Sequence, residues 1–296
     1  MRIKRVWQRL VLLTVSAAAC SCGGARVKTT QQVPATQRPV AKDATLEELL
    51  QRYNDYAHSL QSINATLELK ATTGSKYSGM IDEYHEVKAF LLAQRPYSVR
   101  MVGQVPVVGK TAFDMSSDAQ NFEVYIPSKG KFLVGPVALE RQSGKPIENL
   151  RPQHLLDAVL WPEVHKEEIV LPEEFNDENA RYYVLTVLRG GYKSEIFRKI
   201  WFDRADLHVV RLQSYGSKGA LVSDARYASW QPVAAGSTME YPMQIRIERP
   251  HDEYRLDLAI SKITVNDTLT GEQFKLDAPA GVEIVHVGEG GEEKRP

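Results

Sequence analysis

The residues of this 296-residue chain whose types suit chemistry are few: two cysteines, seven histidines and some closely spaced carboxylates. A thiol can attack a carbonyl, ligate a metal, pair in a disulfide or carry an acyl chain, but Cys20 and Cys22 both lie in the first 22 residues, and everything after them lacks cysteine. His154 and His165 flank an apolar segment with Glu163, Glu167 and Glu168 nearby, yet no fixed ligand spacing links them, so they read as a solvated charged loop and no metal is expected. Asp203 and Asp206 would make an acid/base pair, but they stand between two strand-like runs, where a hairpin turn uses Asp for its own backbone. There is no His-Glu-x-x-His, no Gly-x-Ser-x-Gly and no phosphate-cradling loop. No catalytic residue and no cofactor is expected, and the chain reads as a binding protein, not an enzyme.

The cysteines instead acquire meaning from what precedes them. Arg2, Lys4, Arg5 and Arg9 form a basic start, Leu10 to Val15 an apolar run, and Ser16 to Ala19 a series of small residues ending at Cys20. This is the layout of a secretory signal spanning residues 1–19. Its apolar run is far shorter than the roughly 18 to 20 residues that cross a bilayer. Cleavage after Ala19 would leave Cys20 first, a pattern that resembles the lipobox of bacterial lipoproteins, where that cysteine is acylated on sulfur and nitrogen. Cys22 is the second candidate. Ala17 departs from the larger aliphatic residue usual in a lipobox. The resemblance implies attachment in the bacterial envelope, and Ser21, in place of an inner-membrane Asp signal, favours the periplasmic face of the outer membrane.

The 37 basic and 37 acidic residues balance over the whole chain, leaving no electrostatic footprint for nucleic acid. Loss of residues 1–19 removes four of the basic residues and no acid, so the remainder has an acidic excess and would rely on acyl chains, not charge, to stay at an anionic membrane. Residues 20–44 are rich in Gln, Thr, Pro, Ala and Gly and read as a flexible tether reaching roughly 25 to 30 Å. Residues 288–296 have the composition of a disordered tail. The folded part is then expected at 45–287.

That part opens with a helix: Thr45 and Glu48 have capping-box spacing, and Leu46, Leu49, Leu50, Tyr53 and Tyr56 or Ala57 recur at helical intervals. From Ile63 to Thr72 the period drops to two, the mark of a half-buried strand, and the same alternation recurs in short segments almost to Val265. Short turns between them, such as Asp203-Arg204-Ala205-Asp206 and Gly216-Ser217-Lys218-Gly219, favour antiparallel hairpins. One interruption, Pro152 to Trp161, reads as a second helix with Leu155, Leu156, Val159 and Leu160 on one stripe. The expected fold is mainly β: a single curved antiparallel sheet of about 11 strands, a half-barrel, with helices covering its concave face.

Several phrases resemble the lipoprotein-localisation family typified by LolA and LolB. They are Ser59-Leu60-Gln61-Ser62-Ile63, Arg95-Pro96-Tyr97-Ser98-Val99-Arg100, Lys199-Ile200-Trp201-Phe202-Asp203, Tyr241-Pro242-Met243-Gln244-Ile245, Lys262-Ile263-Thr264-Val265-Asn266 and Phe274-Lys275-Leu276. The resemblance implies an apolar cavity for acyl chains or lipoproteins, a periplasmic carrier as partner, and transport to the outer membrane; a sensor or scaffold on the same fold is the alternative. Leu67, Leu69, Val87, Leu91, Val99 and Met101, with Leu155, Leu156, Val159 and Leu160, either line that cavity or fill a core. By the same resemblance, Val105, Val107 and Val108 in Gln104-Val105-Pro106-Val107-Val108-Gly109 would form a loop that engages the bilayer, or else continue a strand.

Overall fold

The computed structural model describes residues 40–76, 78–137, 151–178, 180–190 and 194–287. The signal segment, Cys20, Cys22, most of the tether and the tail from 288 lie outside the described residues. In chain order the elements are α1 (Leu46–Ser59), β1 (Ser62–Ser75), β2 (Met80–Glu83), β3 (Val87–Gln94), β4 (Ser98–Gln104), β5 (Thr111–Ser117), β6 (Asn121–Ile126), β7 (Lys131–Pro136), α2 (Gln153–Val159), β8 (Ile169–Asn176), β9 (Arg181–Arg189), β10 (Glu195–Asp203), β11 (Val209–Tyr215), β12 (Leu221–Pro232), β13 (Glu240–Arg249), β14 (Tyr254–Val265) and β15 (Glu283–His286), with short 3-10 turns between some of them.

α1 starts where its capping box dictates: the Thr45 hydroxyl accepts from the Glu48 N–H at 3.2 Å and the Glu48 carboxylate accepts from the Thr45 N–H at 2.7 Å. Its buried face is Leu49, Tyr53 and Ala57. α2 is shorter than the expected Pro152–Trp161 span, ending at Val159. Just before α1, the Lys42 N–H donates to the Arg204 carbonyl, Asp43 pairs with the Arg204 guanidinium and the Ala44 N–H donates to Tyr183 Oη.

The strands form one sheet in the order β15-β7-β6-β5-β4-β3-β1-β14-β13-β12-β11-β10-β9-β8, with β2 paired to the far end of β1. Two sequential meanders, β3 to β7 and β8 to β14, therefore meet through β1, which lies between β3 and β14. The sheet is open, with β15 and β8 at its edges. The class agrees with the sequence reading, but the strand count is 15, not about 11, and β15 runs parallel to β7. β2, β8 and β15 were not anticipated. β8 carries Pro172, Glu173 and Glu174 and has no apolar alternation, because an edge strand need satisfy only one neighbour and tolerates proline there.

Laid flat, fourteen strands would extend about 65 Å. Yet residues from β1, β3 to β7 and β9 to β14 join α1 and α2 in one buried cluster, which requires the sheet to curl around the two helices. Leu67, Leu91, Met101, Ile200 and Leu258 are among its members.

Candidate functional site

The helices are held over the sheet mainly at the end of α2, where the last carbonyls have no helical partner. Tyr227 Oη donates to the Ala158 carbonyl and Tyr241 Oη to the Val159 carbonyl, each at 3.0 Å, and Tyr53 Oη donates to the Pro162 carbonyl at 2.9 Å. Arg95 joins the two helices, donating to the carbonyls of Ala57 and Leu60 at the end of α1 and to that of Trp161. Asn54 clamps the backbone of Val164 through both amide atoms at 2.9 Å. Burial raises the hydroxyl pKa of Tyr53 to about 12 and also raises those of Tyr227 and Tyr241, so all three remain donors at any physiological pH.

Two clefts open beside this junction. The first, of about 350 Å³, lies along α2 and reaches Tyr97 and Asp118 on one meander and Leu212, Val222 and Arg249 on the other. Its buried donors are occupied: Gln153 Nε2 donates to the Val137 carbonyl at 3.3 Å, although Gln153 Oε1, an acceptor, has no hydrogen-bond partner among the described residues. His154 Nε2 lies 3.1 Å from Arg249 Nη2, which can only donate, so Nε2 is the lone-pair nitrogen and Nδ1–H donates to Tyr254 Oη at 2.7 Å. Arg249 in turn pairs with Asp252 at 2.7 Å. Burial first, then the Arg249 and Arg151 charges, hold the His154 imidazole well below its ordinary pKa. Asp157 faces water in this cleft but is closely surrounded by protein, which raises its pKa despite the opposing charges of Arg198, Arg249 and Arg95.

The second cleft, of about 370 Å³, lies under α1 and is aromatic. Trp161 stacks on Tyr53 at 5.7 Å between ring centroids, leans on Tyr56 at 4.5 Å and meets Trp230 edge-on at 5.8 Å. The His208 ring lies flat on Trp230 at 4.5 Å and its Nε2 is 2.8 Å from Glu240. Phe202, Leu207, Val209 and Met239 complete the apolar wall, with Arg52, Asp55 and Glu240 at the rim. Tyr56 Oη and Trp230 Nε1 are buried without a hydrogen-bond partner among the described residues. His208 Nδ1 is also without a hydrogen bond, although an Asp206 carboxylate oxygen lies 3.0 Å away; the contact is an ion-pair distance without hydrogen-bond alignment.

No family model and no curated protein matches the chain. Solved structures do. The fold is similar to that of a DUF1329 family protein from Desulfovibrio piger. That likeness has a TM-score of 0.50 at 15% identity, over 76% of this chain and 94% of the other. A LolA superfamily protein from Nitrosomonas europaea is also similar, with a TM-score of 0.48 at 14% identity over 79% of this chain and 99% of that one. So is a putative outer membrane lipoprotein-sorting protein domain from Vibrio parahaemolyticus, at 0.47 and 14% over 77% and 94%. At these identities the likeness is one of fold.

The sequence-derived candidates fall in different places. Leu67, Leu69, Leu91, Val99, Met101, Leu155, Leu156, Val159 and Leu160 are buried in the common core and Val87 is half-buried against it; of these Leu156 also lines the α2 cleft. Val105, Val107 and Val108 form the β4–β5 loop and are exposed, Val107 completely. Val107 has φ of 69° at the centre of a three-residue turn closed by Val108 N–H to Pro106 carbonyl at 2.8 Å. A β-branched residue pays strain for that backbone. The β10–β11 turn uses both carboxylates on its own backbone: Asp203 accepts from Ala205 N–H and Asp206 from His208 N–H, each at 2.8 Å. Among the described residues no group of three or more His, Cys, Asp or Glu side chains could hold a metal. Nor is any described helix long and apolar enough to cross a membrane.

Sequence reading missed the aromatic cleft. Tyr53 and Tyr56 were visible as a helical stripe, but Trp161, His208 and Trp230 come from distant segments. A faint signal existed in the prolines beside the tryptophans, Trp161-Pro162 and Trp230-Gln231-Pro232, which place bulky rings where elements end.

Proposed function

We propose that the protein binds the acyl chains of lipids or lipoproteins between its helices and the concave sheet face, and serves their passage to the outer membrane while anchored there through acylated Cys20. The observation that carries this reading is the aromatic cleft under α1, an apolar recess that opens directly over the core. Phe202, Leu207 and Val209 form its aliphatic and aromatic floor, and the acyl chain lies along the rings of Tyr53, Trp161 and Trp230. Each methylene moved from water into such a site contributes about 0.8 kcal/mol, so transfer from a carrier and release into a bilayer need only differences in apolar burial.

The β4–β5 loop supports contact with the membrane. Val105, Val107 and Val108 stand free of charge at one end of the sheet, and the register puts the exposed Met80 and Ile81 of the β1–β2 hairpin at that same end. A strained turn that presents an apolar side chain wholly to water has no packing reason to exist.

The test is extraction of the mature protein from its native envelope in mild detergent, followed by mass spectrometry of what leaves with it. A co-purifying acylated compound near one per chain is expected; protein that is consistently empty would count against the reading.

A further inference from the structure

The polar atoms of the aromatic cleft specify more than an apolar guest. Trp230 Nε1–H can only donate a hydrogen bond, and Tyr56 Oη can donate or accept, yet both are closed to water and lack partners. Leaving two such atoms unmade is costly, and native proteins rarely tolerate it without a use. Their rings meet edge-on with centroids 5.7 Å apart in the lining of one pocket, so an acceptor carried by a guest is what both lack. The rim sets the charge of the group carrying that oxygen. Asp55 and Glu240 oppose an anion, and the one rim cation, Arg52, already donates to the Leu207 carbonyl at 3.0 Å. A quaternary cation would suit the rings, but it offers nothing to Trp230 Nε1–H.

We infer that the cleft is a site for a neutral acyl ester or amide, whose carbonyl oxygen accepts from Trp230 and Tyr56 while its chain lies against Trp161 and Phe202. Met239, unbranched and half-buried in the apolar wall, has the side-chain freedom to adjust to the chain. This rests on the acyl-binding reading and names the linkage that binding selects.

Isothermal titration of the full chain with decanoyl glycerol, decanoate and decyltrimethylammonium, each below its aggregation concentration, tests both. Decanoyl glycerol is expected to bind tightest. Tyr56→Phe and Trp230→Phe should each weaken it about five-fold, the loss of one hydrogen bond, with decyltrimethylammonium changed less. Thermal unfolding of the same variants verifies that they fold: Tyr56→Phe should melt no lower than the parent because an unpaired hydroxyl has been removed, whereas Trp230→Phe gives up part of a ring packed on Tyr56, Trp161 and His208 and should melt somewhat lower. Equal affinity of parent and double variant for decanoyl glycerol, or tighter binding of decanoate or decyltrimethylammonium, would overturn the carbonyl assignment alone. Failure of all three probes to bind the parent would overturn the acyl-binding reading with it.

Discussion

The two clefts beside α2 are nearly the same size and share the junction at residues 158–162, but they treat their buried donors in opposite ways. Along α2, His154, Arg249, Tyr254 and Asp252 bond to one another. That network spends its donors on holding α2 between the meanders. Under α1, Tyr56 Oη, Trp230 Nε1 and His208 Nδ1 have no hydrogen-bond partner among the described residues. Cleft volume and aromatic content do not by themselves separate a seam from a site; the state of the buried donors does.

The largest effect is expected in the wall of the aromatic cleft. Trp161 is buried against four aromatic rings, and Trp161→Ala should cost about 3 to 5 kcal/mol in urea unfolding. A much smaller cost would mean that the aromatic cleft keeps its shape through the backbone alone. Next is Arg249→Met, which removes the ion pair to Asp252 and the donor to His154 Nε2 and should cost about 1 to 3 kcal/mol.

A pH titration of stability sharpens the contrast further. His154 has a folded pKa well below 6.5, so above that value neither folded nor unfolded state is protonated and the group contributes nothing. Below it the unfolded chain takes up a proton that the folded protein refuses, and stability should fall with a slope of up to about 1.4 kcal/mol per pH unit. Asp157 acts in the other direction: its raised pKa makes the folded state take up a proton first, so its unfavourable contribution fades as the pH drops towards 3.8. Unfolding free energies of the parent and His154→Gln between pH 7.5 and 5 should diverge as acid is added; parallel curves would remove His154 from the account.

The smallest and most pointed pair concerns two tyrosines. Tyr241→Phe deletes the bond to the Val159 carbonyl and should destabilise by about 1 kcal/mol, whereas Tyr56→Phe removes an unpaired hydroxyl and should stabilise by about 1 kcal/mol. The same sign for both would erase the distinction between the clefts.

How much of this was legible in the sequence follows from the range of the interactions. α1 and its cap were, because Thr45, Glu48 and the stripe Leu49, Tyr53, Ala57 are local. The half-barrel was, because inward and outward residues alternate along β1, β3 and β4. β8 was not, since an edge strand with Pro172 shows no alternation. Nor were the core and the sites distinguishable: Leu91 and Leu156 have the same chemistry, and only the folded packing puts one in the sealed core and the other on a cleft wall. The orphaned donors were beyond reach altogether, because an unmade bond is a property of everything around an atom.

The central claim, that an acyl chain is taken up in the aromatic cleft while the core stays sealed, is tested most directly by methyl NMR of the methionines during titration with decanoyl glycerol. Met239 lines the cleft, and Met101 and Met115 are fully buried in the core. The account predicts that the Met239 methyl signal moves with saturation and the Met101 and Met115 signals hold still. Movement of Met101 and Met115 with Met239 unchanged would contradict it and place the ligand inside the sheet.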